Sequence, residues 1–364
     1  MKSPGSSPTR DIHKDLSENT KQPRSLRTRR VTGLIILVFV VLAVTLGSLL
    51  FGARPIAFAD AVQALINLPS LLDEPQSGSA DARVIADLRW PRTLIGLFVG
   101  AALGVAGALI QGHTRNPLAD PGLLGVSAGA AFAVVLGFFA FGLTSALSTS
   151  VVAFCGAVLA TALVFGLASL GGGQINPLTL ILGGAALTAV LHSMTTALTL
   201  IDDNSLDRMR FWSVGALSGR DLSIFWGTAP FIAIGLIVAL ATAPTLNLLN
   251  LGDDAASALG VNTYRARLLG MVVIALLAGA ATAAAGPIGF IGLVVPHIAR
   301  SLCGPDYRWI LPYSALTGAS LLLLSDILGR LIARPGELQV GIVLAFVGAP
   351  FFMYLIYRRK VVAL

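Results

Sequence analysis

The chain has 364 residues, of which 55% are hydrophobic and only 12% charged, and its mean hydropathy is +0.82. This balance excludes an ordinary soluble domain and leaves room for about ten membrane spans of roughly 20 residues each. The net charge of +7 does not mark a nucleic-acid partner, because eight of the 25 basic residues precede the first apolar run and Arg358, Arg359 and Lys360 follow the last, a pattern that orients a membrane protein.

Residues 1–32 are rich in Ser, Thr, Pro, Lys and Arg, which predicts a disordered basic cytoplasmic tail. The first apolar run starts only at Gly33 and is long enough to span, so it reads as a retained helix and not as a leader. Runs of spanning length fall at about 33–53, 93–111, 122–142, 149–169, 178–201, 224–243, 266–285, 288–302, 310–332 and 339–357. Ten crossings make a 33–358 membrane domain and leave 359–364 as a cytoplasmic tail. With both termini inside, the loops at 111–121, 170–177, 244–265 and 303–309 are internal. Sixteen basic residues then lie on the inner face against nine on the outer.

Gly96, Gly100 and Gly104 recur every four residues, as do Gly125 and Gly129, a spacing that lets helices approach closely. In "AAAGPIGFIGLVVPHIAR" (Ala283–Arg300), five Gly and Pro residues predict that the chain turns back near Gly286-Pro287, as interrupted helices along a pathway do. In "NLGDDAASALGVN" (Asn250–Asn262), Asp253 and Asp254 stand where a first helical turn favours acids, and Gly260 stands where a helix stops.

Lysine occurs only at positions 2, 14, 21 and 360, so the chain has no G-x-x-x-x-G-K-[ST] phosphate loop. His13, His113, His192 and His297 are scattered, and Cys155 and Cys303 read as small buried hydrophobes, so no metal site is expected. Asp326, in "LLLLSDILGR", is the one acid well inside an apolar run. It precedes Arg330 by one helical turn, so a plain ion pair competes with an ion-coupling role. A secondary transporter would show several such acids, and a non-transporting scaffold would need neither the break near Pro287 nor the 253–261 segment.

Five polar segments occur in order: "RNPLADPGLLGVSAGAA" (Arg115–Ala131), "FWSVGALSGRD" (Phe211–Asp221), "LNLLNLGDDAASALGVN" (Leu246–Asn262), "GPIGFIGLVVPHIAR" (Gly286–Arg300) and "ELQVGIVLAFVGAPFF" (Glu337–Phe352). Together they closely resemble the permease subunits of bacterial ABC importers for iron-siderophores, haem and cobalamin, the FecCD family, over about residues 35–358. The resemblance implies an all-α, polytopic membrane protein with the type II importer permease fold, dimerising with a second copy or a paralogue around a central path. It further implies a transport subunit in the cytoplasmic membrane, not an enzyme, with an inverted repeat relating spans two to five and seven to ten. Two cytoplasmic ATPase subunits would carry ATP and Mg, with no cofactor on this chain, and an external binding protein would deliver the iron chelate.

On the same basis 246–262 is the coupling loop, with Asp253, Asp254, Leu259, Gly260 and Val261 at the ATPase contact. Arg89, Arg92 and Arg330 match arginines that meet carboxylates of the binding protein, a role suited to a planar guanidinium, with snorkelling to head groups as the alternative. Ala102, Val105 and Leu109, with Gly286 and Pro287, are candidates for the wall of the path, although the first three fit helix packing equally. No residue separates siderophore from haem or cobalamin, and family frequency favours a siderophore. Trp90, Gln339 and His113 depart from the family pattern.

Overall fold

The computed structural model describes residues 22–74, 77–169 and 177–357. Residues 1–21 and 359–364 of the expected tails, and 170–176 of the expected internal loop, lie outside the described residues. The elements run α1 (Gln22–Leu50), α2 (Phe58–Ile66), α3 (Leu68–Asp73) and α4 (Ala80–Arg83), then a π-helical turn (Val84–Arg89) that leads into α5 (Trp90–Thr114). A 3-10 turn (Pro121–Leu124) introduces α6 (Val126–Phe141), followed by α7 (Ala146–Ser169), α8 (Pro177–Ile201) and α9 (Asp203–Trp212). The remainder comprises α10 (Leu222–Leu249), α11 (Asp253–Ala258), α12 (Thr263–Ala285), α13 (Ile291–Cys303), α14 (Tyr307–Ile332) and α15 (Val340–Tyr357).

Among the described residues seven helices are long and apolar enough to cross a bilayer, and the shorter apolar helices α6, α13 and α15 bring the bundle to ten. Three details differ from the sequence expectation. Helix α1 starts at Gln22, inside the expected tail. It is anchored there because Arg30 Nε donates to the Cys303 carbonyl at 2.8 Å and Tyr313 donates its hydroxyl to the Arg30 carbonyl at 2.7 Å. The segment between the first two spans, unassigned in the sequence reading, folds into α2 to α4, which bury Ala61, Ala64, Leu68 and Leu71 against Ile85 and Ala86. The expected crossing at 288–302 is only the 13 residues of α13; at 1.5 Å per residue it covers about 20 Å, short of a hydrocarbon core of about 30 Å.

Helix α5 occupies the centre, packed on α14, α12, α10 and α13. Its most apolar window is 78% buried inside the chain, against 17% for α1 and 11% for α8, so the last two leave most of their surface to lipid or to another subunit. The glycine ladder explains the centre. A Cβ on Gly100 would fall 2.5 Å from the Gly318 carbonyl oxygen and 2.7 Å from Ala319 Cα, and one on Gly107 would strike the backbone of Gly292. Backbone cannot yield as a side-chain tip can, so Gly100→Leu is expected to separate α5 from α14 and lower the melting temperature in detergent by several degrees. A thermal-shift assay checks this, and Gly142→Ala, where a Cβ meets nothing within 4 Å, isolates the cost of the backbone conformation alone. Cys303 is buried as expected, whereas Cys155 faces out of the bundle.

Candidate functional site: two polar faces of one helix bundle

At the face where α1 ends and α5 begins, Asp326 of α14 is fully buried and forms a hub. Its carboxylate accepts from Arg92 Nε at 3.0 and 3.1 Å, from Arg92 Nη2 at 2.8 Å, and from Arg330 Nη2 at 3.0 Å. Arg92 Nη1 reaches Glu337 at 2.6 Å. Arg330 also donates to the carbonyls of Ser48 and Phe51, each at 3.0 Å, and to Ser48 Oγ at 2.9 Å. Arg89 donates to the carbonyls of Leu49 at 2.9 Å, Leu50 at 2.7 Å and Arg54 at 2.7 Å. Two guanidiniums thereby satisfy the carbonyls that any helix leaves orphaned at its C-terminus.

Within this chain the three arginines are turned towards their own acceptors. Arg89, Arg92 and Arg330 are 4%, 7% and 2% exposed, and their guanidiniums are committed to acceptors of their own chain, so they do not snorkel. A cation this deep is stable only when carboxylates or carbonyls replace its water, and Asp326, Glu337 and the end of α1 do so. For Asp326 the ion-pair reading holds, extended by Arg92. A cavity of about 700 Å³ borders the cluster, with Arg54, Arg220 and the three buried arginines on its wall beside Asp87, Asp221 and Glu337.

The opposite face carries α11. Its first residue, Asp253, is half-buried and accepts from Arg267 Nη2 of α12 at 2.9 and 3.0 Å and from Arg115, which follows α5. Arg115 Nε also donates to the Leu249 carbonyl at the end of α10 (3.0 Å), and Arg267 Nη1 to the His113 carbonyl in the last turn of α5 (3.2 Å). One carboxylate therefore ties α11 to the ends of α5, α10 and α12. Within this chain Asp253 is the residue that holds α11 in place. Burial raises its pKa, but the hydrogen bond and charge of Arg267, and then Arg115, outweigh burial and hold it below the usual Asp range. A depressed carboxylate adds stability above the unfolded value of about 3.9, so the tie survives mild acid and is lost only as pH falls through the lower folded value.

Of the other coupling residues, Asp254, Leu259 and Gly260 are exposed and Val261 is half-buried against the core. Gly260 adopts φ +84°, a left-handed turn that an L side chain resists. The 115–121 turn is stabilised as its residue types predict: Asn116 accepts from Leu118 N at 2.9 Å and Asp120 from Gly122 N at 2.8 Å.

Ala102, Val105 and Leu109 are 0%, 1% and 0% exposed within the core that α5 forms with its neighbours. In this structure all three pack inside the bundle against neighbouring helices. Gly286 and Pro287 do form the predicted turn: α12 stops at Ala285, and Gly286 takes φ +76° with the Trp212 carbonyl so close that a Cβ would meet it at 2.6 Å. Ala216 N donates to the Ala285 carbonyl at 2.7 Å, and Gly341 N to the Gly215 carbonyl at 3.2 Å. Three of the five sequence motifs, at 211–221, 286–300 and 337–352, thus meet backbone to backbone on one face.

Sequence reasoning missed Arg267, Glu337 and Arg220. Arg267 stands at the polar start of its apolar run, where a charge is ordinary and gives no signal, and Glu337 and Arg220 are loop residues. His113, unassigned from sequence, fills the space beside Gly270, where any Cβ would collide with its ring.

The profile of the FecCD transport family matches residues 36–358. The chain is 45% identical over 337 residues to the ferric enterobactin transport system permease protein FepD of Escherichia coli (strain K12), covering 92% of this chain and 96% of that one. It is 37% identical over 325 residues to the probable siderophore transport system permease protein YfiZ of Bacillus subtilis (strain 168), with 89% and 95% covered. With the hemin transport system permease protein HmuU of Yersinia pestis it shares 39% identity over 340 residues, with 92% and 97% covered. A metal-chelate type ABC transporter solved in an inward-facing conformation superposes with a TM-score of 0.79 at 29% identity, covering 90% of this chain and 99% of that chain. A ten-helix bundle, a match over nearly its whole length and relatives of the same span lead to one assignment: the chain belongs to the FecCD transport family.

Proposed function

We propose that this chain is the membrane-spanning permease subunit of an ATP-driven importer that carries an iron-siderophore, or a related haem-type chelate, across the cytoplasmic membrane. The observation that carries the reading is α11, a six-residue helix pinned from behind by Asp253 while Asp254, Leu259 at 60% exposure and Leu251 at 65% face outward. Exposed leucines flanking a short helix that is tied to the bundle suit insertion into a partner's groove. That partner is a pair of ATPase subunits on the inner side, which supply the ATP and Mg chemistry for which this chain has no phosphate loop. A second copy or a paralogue covers the lipid-ready faces, and both termini are cytoplasmic.

A binding protein docks at the opposite face. There Arg89, Arg92 and Arg330 act as the floor of the 700 Å³ cavity, and an acidic side chain entering it competes with Glu337 for Arg92. The secondary-transporter alternative loses its one candidate, since the Asp326 carboxylate is held by two guanidiniums.

Two measurements test the reading. Deletion of the chain abolishes uptake of the cognate labelled ferric siderophore, haem or cobalamin, and unaltered uptake of all three overturns it. Gly260→Val, strained at φ +84°, leaves the subunit in the membrane but lowers uptake several-fold while ATP hydrolysis continues; normal uptake by this variant removes the coupling assignment.

A further inference from the structure

The spans α7, α10 and α12 leave a groove of about 460 Å³ between them. Phe154, Phe165 and Phe231 line it from α7 and α10, and Leu268, Val272 and Leu276 from α12. No charged side chain stands on its wall. Its one hydroxyl, Thr161 Oγ1, donates to the Ala157 carbonyl at 2.9 Å, so the groove offers nothing to a polar ligand. Ala162, Gly166 and Val272 are exposed along it, so it opens away from the bundle. A Cβ on Gly166 would meet nothing within 4 Å.

Position and calibre narrow the occupant. Gly166 stands near the end of α7 and Leu268 near the start of α12, so one end of the groove opens at the face that carries α11. From Gly166 back to Phe154 the helix rises about 18 Å, close to one leaflet of a hydrocarbon core of about 30 Å. Spread over that length, the volume has a cross-section of ~25 Å², the calibre of a hydrocarbon chain, whereas a helix roughly 10 Å across needs ~80 Å². A helix of a second copy is therefore too thick to enter. At the α11 end, Arg265 is exposed and precedes Leu268, Val272 and Leu276 at helical spacing on one side of α12. Among the described residues it takes part in no ion pair, unlike Arg267, which holds Asp253.

We propose that this groove holds an anionic phospholipid of the inner leaflet, with one acyl chain along the three spans and the head-group phosphate on Arg265. An empty slot of this kind forfeits dispersion contacts on every wall, and an acyl chain restores them. The guanidinium supplies the charge complementarity, since the cytoplasmic leaflet is the one rich in anionic lipid. Exposed Tyr264 beside it is of the amphipathic type found at the head-group level. An occupied site also fastens the first turns of α12, two residues before the Arg267 that holds α11. The assignment takes from the importer reading only the orientation that puts α11 inside, and it depends on no substrate.

The test uses the full-length chain with its partner subunits, delipidated in detergent and titrated with phosphatidylglycerol or phosphatidylcholine of the same acyl chains. Native mass spectrometry counts the lipid retained. Phosphatidylglycerol is expected to bind about fivefold more tightly, the gain that one basic residue gives with an anionic head group. Arg265→Gln removes that preference and leaves phosphatidylcholine binding unchanged. Gly166→Phe, which fills the groove from a position with room for a side chain, weakens both lipids about tenfold or more. Ala162→Phe, one turn earlier on the same wall, is the second variant and gives the same loss. Equal affinity of the two lipids for the wild type overturns the proposal, as does unchanged phosphatidylglycerol binding in both groove variants. Separation of the two permease copies by Gly166→Phe marks a subunit interface and overturns it too. So does a loss of ATPase activity in Arg265→Gln that is the same in nanodiscs of either lipid, which assigns Arg265 to the ATPase. The lipid counts need no transported chelate: their failure overturns the site alone, whereas a chain that transports no chelate overturns the importer reading and leaves the lipid result standing.

Discussion

Asp326→Ala is expected to lower the stability of the subunit by about 3–5 kcal/mol, because Arg92 and Arg330 then remain buried without their shared carboxylate. A loss of that size consumes a large part of the roughly 5–15 kcal/mol that holds a typical domain together. The variant should therefore reach the membrane in much reduced amount and melt well below the wild type in detergent, as read by quantitative immunoblot and thermal shift. Asp326→Asn should fall between the two, since an amide oxygen still accepts a hydrogen bond. Glu337→Gln should cost no more than about 1 kcal/mol, because the Glu337 side chain is 34% exposed and water replaces what the pair loses. Equal effects at Asp326 and Glu337 would show that burial does not set the strength of this cluster.

The second large effect falls on coupling. A six-residue helix is far too short to persist by its own hydrogen bonds, so α11 depends on its attachment to the bundle. In Asp253→Ala the links to Arg267 and Arg115 disappear together, and with them the connection from α11 to the ends of α5, α10 and α12. The expected result is a several-fold fall in chelate transported per ATP hydrolysed in proteoliposomes, with the subunit's membrane level and the basal ATPase rate little changed. Asp253→Glu should recover much of the ratio, as a carboxylate one methylene longer still reaches both guanidiniums. A wild-type ratio in Asp253→Ala is the outcome that defeats this account. Because the carboxyl is held below the usual Asp range, the ratio should not decline between neutral pH and mild acid on its account.

Which features were legible beforehand follows from the range of the physics behind each. Apolar run length is local, so most crossings were placed to within a few residues, as at 266–285 against Thr263–Ala285 and 310–332 against Tyr307–Ile332. The turn at Gly286-Pro287 was also local, a matter of residues that cannot continue a helix. Where length alone misled, at 288–302, a half-span gave the same apolar signal as a crossing. The amphipathic α2 gave no spanning signal and went unread.

The sequence by itself determined the membrane class, the helix count, the family and the position of α11, because hydropathy and turn chemistry act between neighbours along the chain. Only the tertiary structure decided what the charged residues do. Arg92 and Asp326 are 234 residues apart, and Asp253 finds Arg115 across 138. No local pattern announces such a pair, and the same arginine serves equally as a docking fork, a lipid anchor or half of a buried ion pair until its neighbours are known. Burial in a medium without water then makes the choice, since there a charge must be met by whatever acceptor the fold brings within about 3 Å. The glycine ladder shows the same division: its spacing was plain to read, but that it seats α5 against α14, and leaves Ala102, Val105 and Leu109 as core, depends on which helices close around it.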